Sequence, residues 1–392
     1  MRRHRALAAA KVAAITLAFS VGLYINVRLW FDVGRGVDFN QFYSASKLAG
    51  TGRLYDWGSL TALEAQHGPL MPTGRLPVEM YSLKPLTWLS YTRARWIWLT
   101  ASMAALLAAC LVWPGVNRWL LLLAFAWSAS ATYTIALGQD TAFWMLFFGL
   151  GLALLERGRT GMAGVMFALC ICKYHLALPI PVLLIAQRRW NTLITGAVTA
   201  AALVAACFVI EGPGWLGEYL RMAARPDFSP GAEQMPNLNG MTSWFAGAPW
   251  LEVGAALVCL LLLWFVSRCA PLRTFAGAAT VACGLLVGHH AYIADCVLLA
   301  PLAVAVLQSS AFPLWLRGWA VYVVTPMLMF AVVSVRPYVG QTAVVGFVLS
   351  VMGISYWSAL SSATLVIPPP GKLTSRSTFL SKTASQRTQT RA

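Results

Sequence analysis

Residues 161–186 read GMAGVMFALCICKYHLALPIPVLLIA, a run of small and apolar residues broken only by Lys173-Tyr174-His175 near its middle. About 20 apolar residues cross a bilayer as one helix, so the stretch is long enough for a single span. A single span would hold Lys173 near mid-membrane, where a charge costs ~3 kcal/mol or more. It would also put Gln187-Arg188-Arg189 across the membrane from Arg157 and Arg159. Two short limbs meeting at Lys173-Tyr174-His175, shielded by protein, remove both conflicts. The stretch therefore reads as two limbs, and the path of the rest of the chain follows from that choice.

The whole chain supports a membrane setting. Its 392 residues are 59% hydrophobic and 11% charged, with a mean hydropathy of +0.67. A soluble domain carries about 25% charged residues. That composition excludes soluble, disordered and secreted disulfide-rich classes. The eight cysteines all lie in or beside apolar runs, and Cys170-x-Cys172 has the wrong spacing for a metal knuckle, so they read as packing residues.

Besides the two limbs, apolar runs fall near 7–30, 96–113, 119–137, 141–155, 190–210, 251–267, 275–288, 293–308, 319–334 and 340–360. The first follows the basic start Met1-Arg2-Arg3-His4-Arg5 and contains Lys11. No small-x-small site follows it, so it reads as an uncleaved anchor rather than a signal peptide. The expectation is an all-α polytopic membrane protein with about 12 crossings, one integral membrane domain over 1–360, and both termini on one side. The Ser/Thr/Arg-rich stretch 361–392, with Pro368-Pro369-Pro370, reads as a disordered basic tail.

The charges test this arrangement. The net charge is +16, and in a soluble protein that excess would point to nucleic acid. Here the terminus side holds 17 cations and one acid, Glu156, while the other side holds 12 of each. The whole excess sits on one face. The positive-inside rule makes that face cytoplasmic, in a bacterial-type inner or plasma membrane, so the charge reports orientation and no nucleic-acid partner is expected.

Two outer segments are long, about 31–94 and 211–250, and loops of that length carry function or structure of their own. In the first, Phe39, Phe42, Tyr43 and Leu48 recur at helical spacing, which predicts a short helix lying in the interface. In the second, Trp215, Tyr219, Trp244 and Trp250 suit an aromatic belt, with sugar stacking as the sharper alternative for one or two of them.

The polar residues closest to the outer ends of spans come from six separate stretches: Asp38, Gln139-Asp140, Lys173-Tyr174-His175, Asn237 and Asn239, His289-His290, and Asp295. The topology brings all of them to one membrane face, and ionisable groups at that depth are functional candidates. Their spacing is not that of a metal site, and neither metal nor cofactor is expected. A carboxylate can take the proton of an acceptor hydroxyl, while Lys173, His289 and His290 can stabilise a departing lipid phosphate. Glycosyl transfer from a polyprenyl-phosphate donor to a lipid or glycan acceptor needs those parts. A transporter or flippase of a lipid-linked solute is the alternative, although such folds more often show broken helices in both halves. The sequence has no P-loop, dinucleotide fingerprint or nucleotide-sugar domain.

Several stretches resemble the GT-C class of polyprenol-phosphate-dependent glycosyltransferases, and among them glycosyltransferase family 87. They are Val37-Asp38-Phe39-Asn40-Gln41-Phe42-Tyr43 with Gly52-Arg53-Leu54-Tyr55-Asp56; Gly138-Gln139; Ala163-Gly164 leading to Lys173 and Pro179; Asn239-Gly240; and His289-His290-Ala291-Tyr292 leading to Asp295 and Pro301. The resemblance implies a GT-C-like fold with an outward-facing cavity, a lipid-phosphate mannose or arabinose donor, and inversion at the sugar carbon without a metal. It makes Asp38 the catalytic aspartate, while the two-limb reading and the shared membrane face put Lys173, His289 and His290 at the donor phosphate. The substrate residues would be Tyr43, Gln139, Asp140, His175, Asn239, Tyr292 and Asp295. The sequence departs from the family pattern at Tyr81-Ser82-Leu83-Lys84-Pro85, where Tyr-Pro-Pro is usual, and at Tyr174, where Pro usually follows the lysine.

Overall fold

The computed structural model describes residues 36–364 apart from 226–230, 246–248, 270–272, 327 and 329–336, together with isolated positions between 13 and 28. The described elements are all helical. Five helices are long and apolar enough to cross a bilayer: Tyr91–Val112, Thr160–Ala177, Trp190–Glu211, Pro249–Arg268 and Tyr338–Ser358. The chain is a multi-pass membrane protein. Arg118–Trp127 and Ala129–Leu137 form a sixth candidate if a pair bent by 71° is one broken span. The expected count of about 12 also includes the shorter apolar helices Thr141–Glu156, Phe275–Val287 and Ile293–Gln308. The expected anchor near 7–30 lies largely outside the described residues, and so does the tail beyond Thr364.

Local chemistry sets the helix boundaries. Asn117 starts Arg118–Trp127 by accepting from the backbone N–H groups of Trp119 and Leu120. Ser128 ends that helix in extended backbone and caps the next one at Ala131, which produces the bend. Gly138 ends Ala129–Leu137 in the left-handed region at φ 79°. A Cβ there would also lie 2.7 Å from that of Phe39, so glycine is required twice over.

The 161–186 stretch folds back on itself. The helix Thr160–Leu169 tightens into a 3-10 turn at Cys170–Lys173, and backbone regularity breaks at Lys173 (φ −123°, ψ 68°). A short turn Tyr174–Ala177 follows, and Pro179 opens the returning helix Pro179–Ala186. Gly164 then packs on Thr192 and Gly196 of the helix Trp190–Glu211. The starts of the first limb and of Trp190–Glu211 therefore lie at the same end of the molecule. The chain reverses between them, as the two-limb reading requires, and Arg157, Arg159, Arg188 and Arg189 share one side.

Two packed bodies result. The larger is the helical bundle, centred on buried residues such as Leu121, Trp144, Phe148, Leu176, Leu286 and Phe347. The smaller joins both outer segments around Phe39, Phe42, Leu54, Leu60, Met80, Trp98 and Trp215. Here two expectations need correction. The helix over Phe39–Leu48 exists, as Val37–Leu48, but it does not lie in the interface: Asp38 through Ser46 are all buried, polar residues included. Trp215 and Tyr219 likewise pack inward rather than forming a belt, whereas Trp244 and Trp250 are exposed as a belt requires.

The reversal depends on backbone contact at Gly164, where a Cβ would fall 2.6 Å from the Thr192 carbonyl oxygen and 2.8 Å from the Gly196 nitrogen. Small residues permit this approach, which supplies much of helix association where no hydrophobic force separates helix from lipid. Gly164→Val should therefore destabilise the protein by ~1–3 kcal/mol, as overpacked sites do, measured by denaturation in detergent. Stability equal to the parent's would show that the limbs are held elsewhere.

Candidate active site

The two bodies enclose a cavity of about 330 Å³. Asp38 and Gln41 reach it from the helix Val37–Leu48, and Met71, Pro72, Gly74 and Arg75 from the loop before Pro77–Ser82. Tyr133 and Leu137 come from the helix Ala129–Leu137 and Gln139 from the turn after it, Lys173, Tyr174 and His175 from the reversal, His290 and Tyr292 from the segment before Ile293–Leu299, and Asp295 from that helix itself. The loop is fastened over the cavity by Gln41, which donates to the Pro72 carbonyl, and by Met71, whose N–H donates to Glu64 Oε2 at 2.7 Å.

At its base lies a buried ammonium. Lys173 is 2% exposed and Nζ donates to Gln139 Oε1 at 2.8 Å, Thr141 Oγ1 at 2.7 Å and Asp295 Oδ1 at 2.5 Å. Asp140 Oδ1 lies 3.3 Å from the same nitrogen and also accepts from Arg75 Nη2 at 3.0 Å. Thr141 in turn donates to Asp295 at 2.7 Å, and the Tyr292 N–H donates to the other Asp295 oxygen at 3.1 Å. Two carboxylates thus face two cations. The three protons of Lys173 are all committed, so it works on the cavity by its field and by positioning Gln139 rather than as a free hydrogen-bond donor.

Gln139 links this base to Asp38. With its oxygen on Lys173, its Nε2 donates to Asp38 Oδ2 at 2.9 Å. No other donor reaches Asp38 among the described residues, which leaves one carboxylate oxygen for the cavity. Burial pushes the Asp38 carboxyl up to about 6, against the opposing pull of Lys173 and Arg75. Glu79 stands beside Asp140, and burial together with that neighbouring carboxylate holds it well above the usual carboxylate range.

Of the residues singled out in the sequence, Asp38, Gln139, Asp140, Lys173, His175, His290, Tyr292 and Asp295 converge on the cavity wall or its base. Three do not. Tyr43 is buried in the aromatic cluster with Phe39 and Tyr91, and its hydroxyl donates to the Leu89 carbonyl at 2.7 Å. His289 turns to Glu252, with Nδ1 2.9 Å from the carboxylate. Asn239 donates to the His289 carbonyl at 3.0 Å and so holds the turn before His290 without lining the cavity. Burial and the adjacent His289 keep His290 below the ordinary imidazole range, so it enters as a neutral ring. Arg75, Gln41 and Tyr133 line the cavity without having been singled out. Among the described residues, no three His, Cys, Asp or Glu side chains are placed to hold a metal ion.

No curated protein and no solved structure matches the chain significantly. The sequence profile of glycosyltransferase family 87 does match, over residues 77–301, more than half of the chain. That segment supplies Gln139, Asp140, Lys173, His290 and Asp295, whereas Asp38 comes from the helix before it. The cavity thus draws most of its polar groups from the matched segment, and the chain belongs to glycosyltransferase family 87.

Proposed function

We propose that the chain is an inverting transferase that moves a sugar, mannose or another hexose or pentose, from a polyprenyl-phosphate donor. The acceptor is a lipid- or glycan-linked hydroxyl, and the cavity opens at the outer face of the cytoplasmic membrane. One observation carries the reading: a carboxylate with one oxygen anchored and its titration raised towards neutrality, in a cavity that joins the membrane body to the outer body. A general base works best with a pKa near the operating pH.

In the reaction the acceptor oxygen forms its bond to the anomeric carbon and gives its proton to Asp38. The bond from that carbon to the phosphate oxygen breaks, and polyprenyl phosphate leaves with the electron pair. The leaving group gains negative charge, so groups fixed around it favour the transition state over the ground state. Arg75 and Lys173 supply positive field there, and the neutral His290 ring supplies an N–H donor. Lys173, through Gln139, is also a positioning residue for the base. The apolar wall at Leu137, Met71 and Pro72 keeps water from the anomeric carbon. The charge split between the two faces supports the sidedness of this reading.

Purified protein in vesicles, given a panel of polyprenyl-phosphate sugars and acceptors, should release polyprenyl phosphate only when an acceptor is present. Asp38→Asn should lower kcat by ~10²–10⁴-fold while donor binding persists. Because the acid form of Asp38 cannot accept a proton, the wild-type rate should fall as pH drops through about 6. Undiminished turnover in Asp38→Asn would assign the base elsewhere.

The histidines separate in the same assay. His290→Ala should raise the donor KM by about tenfold, the effect of one hydrogen bond, and His289→Ala should leave it unchanged. The reverse order would place the phosphate outside this cavity.

Sidedness is testable by labelling in a cysteine-free background. The exposed Ala62→Cys should react with an impermeant maleimide on intact cells, and Arg157→Cys only after permeabilisation. The opposite pattern would turn the cavity to the cytoplasm.

A further inference from the structure

A second cavity, of about 250 Å³, lies in the outer body between the helices Trp57–Glu64 and Trp215–Ala223. Its walls include Asp56, Trp57, Glu218, Arg221 and Arg225, and Tyr55 belongs to its lining too. None of these residues takes part in the site described above. The Arg225 guanidinium lies 4.1 Å from the Trp57 ring centroid, which fixes a planar cation against an aromatic face. Glu218 and Arg221 line the same cavity, and among the described residues neither side chain makes a hydrogen bond or ion pair. The wall therefore carries two acids and two bases; Asp56 is already held by Arg53 and the Ser59 N–H, and Glu218 and Arg221 are left to meet a ligand.

Hydrogen bonds and a ring contact link the wall of this cavity to that of the first. The Tyr55 hydroxyl donates to the Arg75 carbonyl at 2.7 Å, and Arg75 lines the first cavity. The Tyr55 ring meets Tyr219 edge to face at 5.5 Å between centroids. The Tyr219 hydroxyl is hydrogen-bonded to that of Tyr174, another residue of the first cavity.

From this we infer that the second cavity is a subsite for an uncharged glycan, a part of the acceptor remote from the hydroxyl that reacts; the assignment of the glycan to the acceptor rests on the transferase reading above. Charge balance decides the ligand class. An anionic headgroup would meet Glu218, and a cation would meet Arg221. A neutral polyhydroxylated ligand can use both, because each hydroxyl donates to a carboxylate and accepts from a guanidinium. Trp57, with Arg225 over one face, offers the rest of its ring to the sugar C–H surface. Binding energy gathered this far from the reacting hydroxyl helps position it, so extended acceptors gain over short ones.

Two measurements test the subsite, and the first needs no turnover. Saturation-transfer NMR with mannotriose should show binding to the wild-type protein in detergent. Trp57→Ala and Glu218→Gln should each weaken it by about tenfold, with helix content and thermal stability like the parent's in Glu218→Gln. The second compares acceptors: KM for an oligosaccharide acceptor should rise about tenfold in both variants, while KM and kcat for a monosaccharide acceptor stay unchanged. Mannotriose binding that is absent from the wild type, or equal in all three proteins, overturns the subsite. So does binding of phosphatidylglycerol headgroup or a sialylated trisaccharide in preference to the neutral sugar. Wild-type protein that binds mannotriose through Trp57 but turns over no lipid-phosphate donor leaves the glycan site standing and removes the transferase reading instead.

Discussion

The rest of the site depends on one buried ammonium. Lys173 is 2% exposed in an otherwise apolar run, and such a charge is tolerated only when its hydrogen-bonding capacity is filled. It has three protons, and Gln139, Thr141 and Asp295 each bring one acceptor from elements far from it in sequence. That demand fixes where the 161–186 stretch must break, how close the turn after the bent pair must come, and how the Ile293–Leu299 helix enters the bundle. Removing one partner of a buried ion pair costs roughly 3–5 kcal/mol because it strands the other. The bundle therefore closes with these partners in place around Lys173.

Much of this convergence was legible in the sequence, for a physical reason. A polar residue at the end of an apolar run is confined to a narrow depth. Runs of assigned direction therefore place Gln139, Asp140, Lys173, His290 and Asp295 at one level of the membrane. Depth says nothing about which way a side chain points. His289 and His290 share a depth, yet one turns to Glu252 and the other to the cavity. Tyr43 sits little more than one turn beyond Asp38 on the same helix, yet it faces the aromatic cluster. Arg75 gave no signal at all, because nothing in its neighbourhood distinguishes it from Arg53 or Lys84 in the same outer segment. Only the folded loop, with Gln41 and Glu64 fastening it, makes Arg75 a wall of the site.

The helix Val37–Leu48 shows how composition misleads when a segment is read alone. Asn40, Gln41, Ser44 and Ser46 would suit a wet face, yet all four are buried. The amide of Asn40 donates to the Glu64 carbonyl at 3.1 Å and Gln41 donates to Pro72, so these polar groups tie loops to the helix instead of meeting solvent. The polar face belongs to an interior. The partners of Asn40 and Gln41 are backbone carbonyls in the following segment, which no periodicity of the helix itself can reveal.

The division between membrane body and outer body also has a chemical logic. Both permanent cations of the cavity lie against carboxylates in the bundle or beside it: Lys173 against Asp295 and Asp140, and Arg75 against Asp140. Their positive field is partly offset, which in the proposed reading suits both admission and release of a charged lipid phosphate. Asp38 stands apart from those pairs, joined to them only through the neutral amide of Gln139. Had it been paired directly with Lys173, opposite charge would have drawn its titration below the ordinary carboxylate range and weakened it as a base. The intervening amide holds the carboxylate in place without neutralising it. Burial is then free to raise its proton affinity, as the proposed role of general base requires.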